Sequence, residues 1–243
     1  MSGRLTQWLQ DHDDVTSPLI PAATVILLRD GALGLETLLL QRSSKLSFAE
    51  GSWVFPGGRV DESDRRGPVD DDSAARAAAA RECLEEASVT VLEDSLVYYS
   101  HWVPPQEAPK RFSTWFFLAR SPGETVRVDQ GEITGHAWLT PAAALERAHE
   151  RRIELLAPTW VSLHDLSEFA DVEAALNATR THGPKRFATR IISTPEGPAA
   201  AWKPDAGYAT GDHSAEGSRH RLVMGPGRWR LERSEHNINE TRA

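Results

Sequence analysis

Apolar residues occur along the chain in short runs separated by turn-forming residues. Residues 22–28 (AATVILL) and 35–41 (LETLLLQ) are two such runs, partly β-branched, on either side of RDGALG. That arrangement predicts adjacent antiparallel strands. Trp53, Val54 and Phe55 form a third short strand, cut off by Pro56, Gly57 and Gly58. The proline fixes φ and the glycines permit dihedrals closed to other residues, so a turn with unshielded backbone is expected there. The charged stretch 59–72 lacks apolar periodicity and reads as loop. Ser73 then offers an N-cap to AARAAAARECLEEA, residues 74–87, the strongest helix former in the chain by intrinsic propensity.

Residues 96–102 and 112–119 cluster aromatic and branched side chains like strands and bracket the proline-rich VPPQEAPKR. A further strand is expected over 132–139. Thr140 and Pro141 make an N-cap and first turn for a helix reaching about Arg151. A second helical stretch, 158–180, carries a break near Ser167. From Gly183 onward Gly and Pro recur between the candidate strands 186–193 and 220–224, which predicts a small β extension on the main body. The order is strands, helix, strands, helices.

Composition narrows the function classes. The 243 residues hold 27 Lys+Arg against 35 Asp+Glu, a net charge of −8, whereas a general nucleic-acid binder carries a basic surplus. Cys83 is the single cysteine, so no intramolecular disulfide and no cysteine-based zinc site can form, and a reducing compartment is expected. The opening MSGRLTQWLQDHDDV lacks the apolar core of a signal peptide, and no apolar run is long enough to span a bilayer. A soluble cytoplasmic protein with neither nucleic acid nor membrane as partner is the expectation.

The chemistry concentrates in Arg81-Glu82-Cys83-Leu84-Glu85-Glu86. Residues three and four apart lie close on a helix face, so Glu82, Glu85 and Glu86 form one carboxylate cluster. Ionised and partly buried, each pair would cost about 3 kcal/mol at a separation near 6 Å; fully exposed, the penalty is a few tenths. A solvated acidic face is one reading. The other is a site for a hard divalent cation, which takes oxygen ligands and shares its coordination with water and substrate phosphates. Arg81 precedes Glu85 by four, the poorer orientation for a surface ion pair, so simple pairing leaves that arginine unexplained.

Gly58 to Val89 resembles the signature box of the Nudix hydrolases. Gly58 stands at the opening glycine, Asp64 where the pattern has Glu, and Arg81, Glu82, Cys83, Glu85, Glu86 and Val89 at the second half. Asp64 and Arg81 are separated by sixteen residues where the pattern has seven, an insertion of nine, and Ser88 replaces the closing glycine. The insertion falls in the loop before the helix, where length is tolerated. Ser88 bears on the helix exit, because a glycine there often adopts a left-handed conformation. A narrower similarity is to bacterial relatives of the peroxisomal acyl-CoA diphosphatases. It rests on the expanded box, on the segment from His101 to Arg111 followed by Phe112, Thr114, Phe116 and Phe117, and on Glu132 ahead of Trp138.

The resemblance implies an α/β protein, a Nudix-type α/β/α sandwich with a mixed sheet plus C-terminal helices and the small β extension. It divides the chain into an N-terminal segment (1–20), the Nudix domain with a helical appendage (21–182) and a Gly/Pro-rich extension (183–243). It implies a Mg²⁺- or Mn²⁺-dependent diphosphatase acting on a small nucleoside diphosphate derivative, CoA or acyl-CoA among them, and leaves a homodimer open. ADP-ribose, NADH or nucleotide sugars as substrates, and a nucleotide-binding module without turnover, are the alternatives. Glu82, Glu85 and Glu86 match the family's metal-binding and base-supporting glutamates, Gly57 would lend its carbonyl to a metal, and Arg81 would hold the glutamates in place. Glu132 is a further candidate base or ligand, or an exposed loop residue. Lys110 and Arg111 would meet phosphate or be solvated. Trp102 and Trp115 would stack on a base or sit in the core. His101 has no partner at metal-ligand spacing, and Cys83 reads as a buried thiol.

Overall fold

The computed structural model describes residues 17–43, 51–65, 70–128 and 131–234. They fall into two compact units. The first comprises residues 21–101 and 114–184. Its strands are β1 (Leu19–Gly31), β2 (Gly34–Arg42), β3 (Trp53–Val54), β4 (Gly57–Arg59), β5 (Val97–Val103), β6 (Arg111–Arg120) and β7 (Ile133–Leu139). β1 and β2 form the expected antiparallel hairpin, and the sheet runs β3-β2-β1-β6-β5, with β4 beside β1 and β7 beside β2. Val25 to Leu28 and Leu38 to Leu40 are all fully buried. A strand with no polar face is one covered on both sides.

Helix α1 (Asp71–Ala87) covers one of those faces. Its Ala75, Ala78, Ala79 and Cys83 pack with Ala23, Val25 and Leu27 of β1, Leu38 and Leu40 of β2 and Phe117 of β6. Alanines let the helix backbone approach the sheet closely. The helix starts three residues before the expected point: its N-cap is Asp70, whose carboxylate accepts from Ser73 N–H at 2.8 Å. Aspartate caps as well as serine, and Asp71 and Asp72 then sit in the first turn, where the helix dipole favours negative charge. The stretch 59–72 is therefore not all loop, since it also contains a short 3₁₀ turn at Glu62–Asp64; residues 66–69 lie outside the described residues.

Thr140 caps α2 (Pro141–His149) by accepting from Ala143 N–H. The expected break near Ser167 separates α3 (Ala157–Leu166) from α4 (Val172–His182). Among the described residues no helix is long and apolar enough to cross a membrane.

The second unit holds, among the described residues, 17–20, 102–113 and 185–234. The expected strand 186–193 is two: β8 (Lys185–Ala188) lies beside the end of β5, where Thr189 N–H donates to Val103 at 2.8 Å, and β9 (Arg190–Thr194) starts a separate sheet. That sheet is antiparallel with order β12-β11-β10-β9, using β10 (Gly197–Ala201), β11 (His220–Val223) and β12 (Arg230–Arg233). Trp102 stacks on Phe187 in this unit's interior, and Trp202 meets both rings edge-on.

Ser88 solves the helix exit without a glycine. It takes the left-handed conformation (φ 56, ψ 34), its N–H donates to Leu84 O at 2.9 Å as in the αL termination motif, and Val89 N–H donates to Cys83 O at 3.4 Å. The Ser88 Oγ also donates to Arg127 O at 3.0 Å. A left-handed non-glycine residue costs roughly 1–2 kcal/mol, which that hydroxyl bond partly offsets. Ser88→Gly is thus expected to hold or slightly raise the melting temperature with turnover unchanged. A clear loss in thermal melts would make the hydroxyl, not the backbone, the true cap.

Candidate active site

All the acidic candidates converge in the first unit, where β4 meets the C-terminal half of α1. β4 is hydrogen-bonded to β1 through Val25 N–H to Pro56 O (2.9 Å) and Val60 N–H to Pro21 O (3.0 Å), with Ala23 opposite Gly58 and Thr24 opposite Gly57. Antiparallel pairs alternate between bonded and non-bonded, so Gly57 and Arg59 turn their N–H and C=O groups away from β1. Both are used on the α1 side. Gly57 N–H donates to Glu86 Oε2 at 2.9 Å, and Arg59 O accepts from Arg81 Nη2 at 2.9 Å. The Gly57 carbonyl, like its N–H, lies on the edge of β4 that faces away from β1.

The two glycines therefore serve a different purpose from the expected turn. Neither has a positive φ. A side chain at Gly57 would lie 2.5 Å from Ala23 O and Thr24 Oγ1, and one at Gly58 would lie 2.2 Å from Glu82 Oε1. Gly57 lets β4 close on β1, and Gly58 makes room for the Glu82 carboxylate. Gly58→Ala meets only the far end of a flexible side chain, so the fold is expected to survive while Glu82 is displaced. We expect kcat to fall by about 10- to 100-fold with little change in melting temperature. Unchanged kcat would remove Glu82 from the site.

Arg81 ties the cluster together. Its Nε and Nη2 grip Asp64 at 3.0 and 2.9 Å, a bidentate pair with a carboxylate that is 4% exposed, and its Nη1 reaches Glu82 Oε1 (2.9 Å) and Glu85 Oε2 (3.1 Å). Asp64, which stands where the pattern has Glu, is thus in contact with Arg81 across the insertion that separates them. Asp64 also accepts from Asp61 N–H at 2.8 Å. Its many carboxylate partners hold Arg81 fully charged, with its pKa above the usual arginine range.

Glu86 is the buried member. Burial pushes its pKa up to about 8, Glu82 and Glu132 add repulsion, and the Gly57 N–H and Arg42 act in the opposite sense. Glu82 is also raised, chiefly by burial, against the lowering effect of Arg81. Glu85 and Glu132 are more than half exposed. Arg42, at the end of β2, lies 4.0 Å from Glu86 Oε1 and 3.8 Å from Glu132 Oε2. It escaped sequence reading because a cation closing an apolar strand has no motif of its own.

Among the described residues no three acidic, histidine or cysteine side chains form a finished metal cage. The donor set still fits a hard cation. It offers oxygen donors only, with one buried carboxylate whose ionisation is disfavoured by burial and a glycine of β4 bonded to it, and Mg²⁺ takes one or two carboxylates and completes its shell with water and phosphate.

The other candidates lie elsewhere. Lys110, Arg111 and Trp102 belong to the second unit. Arg111 Nη1 donates to Ser17 O at 3.1 Å, and Lys110 is exposed. Trp102 does not fit a base-stacking role. It is 4% exposed, with its ring face on Phe187 at 3.9 Å and Trp202 against its edge. Trp115 packs on the first unit's core and stacks on His101 at 4.4 Å. Cys83 is a core thiol whose pKa burial pushes up to about 12. A groove of about 510 Å³ lined by Arg76, Tyr98, Arg120 and Arg180 contains none of the carboxylates of this site. Its guanidinium groups are held by Asp72, Asp30, Glu173 and Asn177.

A family model described as NUDIX domain matches residues 18–159. The Caenorhabditis elegans protein "Putative nudix hydrolase 7" is 25% identical over 193 residues, covering 65% of this chain. The chain spans 63% of that relative's length. The crystal structure of a NUDIX hydrolase from Alicyclobacillus acidocaldarius aligns with a TM-score of 0.62 at 23% identity, covering 67% of this chain and 97% of that one.

Proposed function

The chain belongs to the Nudix family of hydrolases, which act on phosphorus-containing acid anhydrides, and from that premise we propose a cytoplasmic, divalent-metal-dependent diphosphatase of nucleoside diphosphate derivatives, with CoA or acyl-CoA as the substrate class. The observation that carries this reading is the buried Glu86 carboxylate, oriented by Gly57 N–H and crowded by Glu82 and Glu132. An ionisable group placed where its ionisation is costly is a mark of function.

Glu86, Glu82, Glu85 and the Gly57 carbonyl would hold Mg²⁺ or Mn²⁺, which when bound offsets phosphate charge and acidifies coordinated water. The chain's own residues do the rest. Gly57 fixes the rotation of the Glu86 carboxylate. Arg81 keeps Glu82 and Glu85 on one side of the helix through charge-assisted bonds. Glu132 and Glu85 are the carboxylates exposed enough to take a proton from attacking water and release it to solvent. The CoA preference is supported by the sequence similarity of the expanded box and the 101–117 segment.

The test is incubation with Mg²⁺ and a panel of CoA, acyl-CoA, ADP-ribose, NADH and nucleotide sugars. Fastest release of two phosphorus-containing products from CoA or its thioesters is the expected result. Faster turnover of another member reassigns the substrate, and tight binding without turnover identifies a nucleotide-binding module.

A further inference from the structure

Arg42 stands where the β2–β7 ladder slips: Gln41 faces Gly135 but Arg42 faces Ile133. Such bulges bend a strand and re-aim its side chains. On the other side the backbone is pinned by Arg42 N–H to Ser52 O at 3.0 Å. The guanidinium is thereby delivered between Glu86 and Glu132, at 4.0 and 3.8 Å. Those separations allow charge attraction but exceed hydrogen-bond length. Among the described residues the group bonds to neither carboxylate, and its Nε is buried without an acceptor although the side chain is only 18% exposed.

A guanidinium carries five donors in a planar fork, and a buried donor left without an acceptor is costly. A fork held beside two carboxylates by charge alone, with donors to spare, is matched to an anion bearing several oxygens that enters between them. We propose that Arg42 is a binding residue for the diphosphate group, donating its fork to phosphoryl oxygens beside Glu86 and Glu132. Its attraction to the two carboxylates keeps the fork aimed at that point.

Resting on the diphosphatase reading above, this assignment is tested by calorimetric titration of the full chain, as wild type, R42K and R42Q. The ligands are Mn²⁺ alone and then inorganic pyrophosphate with Mn²⁺ in excess. Loss of one bidentate charged contact should weaken pyrophosphate binding by about 10- to 100-fold in R42Q, and by less in R42K, which keeps the charge but not the fork. Mn²⁺ affinity should hold or rise, because a competing cation has been removed. Wild-type pyrophosphate affinity in R42Q overturns the assignment, and so does a wild type that takes up no pyrophosphate. A proportionate loss of Mn²⁺ and pyrophosphate also overturns it, by making Arg42 a positioning residue for the carboxylates. A wild type that binds both ligands yet hydrolyses nothing on the panel removes the diphosphatase reading alone, and the R42Q comparison still decides the role of Arg42.

Discussion

Glu86→Gln is expected to lower turnover by about a thousandfold or more, and to make the metal-free protein more stable at pH 8. Both effects come from one carboxylate. On the proposed reading the lost charge is one that would hold the cation, and with it goes stabilisation of the diphosphate in the transition state. Glutamine keeps an acceptor for Gly57 N–H while deleting a buried charge. The pH dependence follows from linkage: a carboxylate raised to about 8 in the folded protein binds more protons than in the unfolded chain. Its penalty is absent below the ordinary glutamate range, grows as pH rises, and is complete once pH exceeds about 8. The stability gap between variant and wild type should therefore widen over that window, reaching on the order of a few kcal/mol. A bound cation acts oppositely, so Mg²⁺ should stabilise the wild type more at pH 8 than at pH 6, and the variant little at either. Denaturant melts at the two pH values, with and without Mg²⁺, measure this. Parallel profiles would show that Glu86 carries no costly charge.

Asp64→Ala should be the most destabilising single change at the site, by roughly 3 kcal/mol. It leaves Arg81 without its bidentate partner and Asp61 N–H without its acceptor. The loss falls at the lower end for a broken buried pair because Arg81 keeps 25% of its side-chain exposure and still bonds Glu82, Glu85 and Arg59 O. Asp64→Glu, which restores the family's residue, should recover most of the stability. Equal melting temperatures for wild type and Asp64→Ala would mean that the Arg81 network does not depend on this carboxylate.

What could be read from the sequence was governed by local rules. The β1–β2 hairpin, the alanine-rich helix, the Thr140 cap and the break after α3 each follow from periodicity and capping within a few residues. The carboxylate cluster was legible for the same reason, because helical spacing alone places Glu82, Glu85 and Glu86 together. What escaped depends on partners distant in sequence. Gly57 and Gly58 are glycines because of Thr24 and Glu82, not because of their own dihedrals. Trp102 has the composition of a stacking residue, and Phe187 and Trp202 turn it inward. Arg42 gains meaning only once β2 and β7 bring it beside Glu132, and Ser88 is held left-handed by the helix it ends.

Anomalous scattering from a crystal soaked in Mn²⁺ with a non-hydrolysable nucleoside diphosphate analogue probes the main assignment at atomic level. The expected result is an ion in coordination contact with the Glu86 carboxylate and the Gly57 carbonyl, sharing oxygens of the diphosphate. Manganese bound away from β4 and α1, with Glu86 still bonded only to Gly57 N–H, would contradict it.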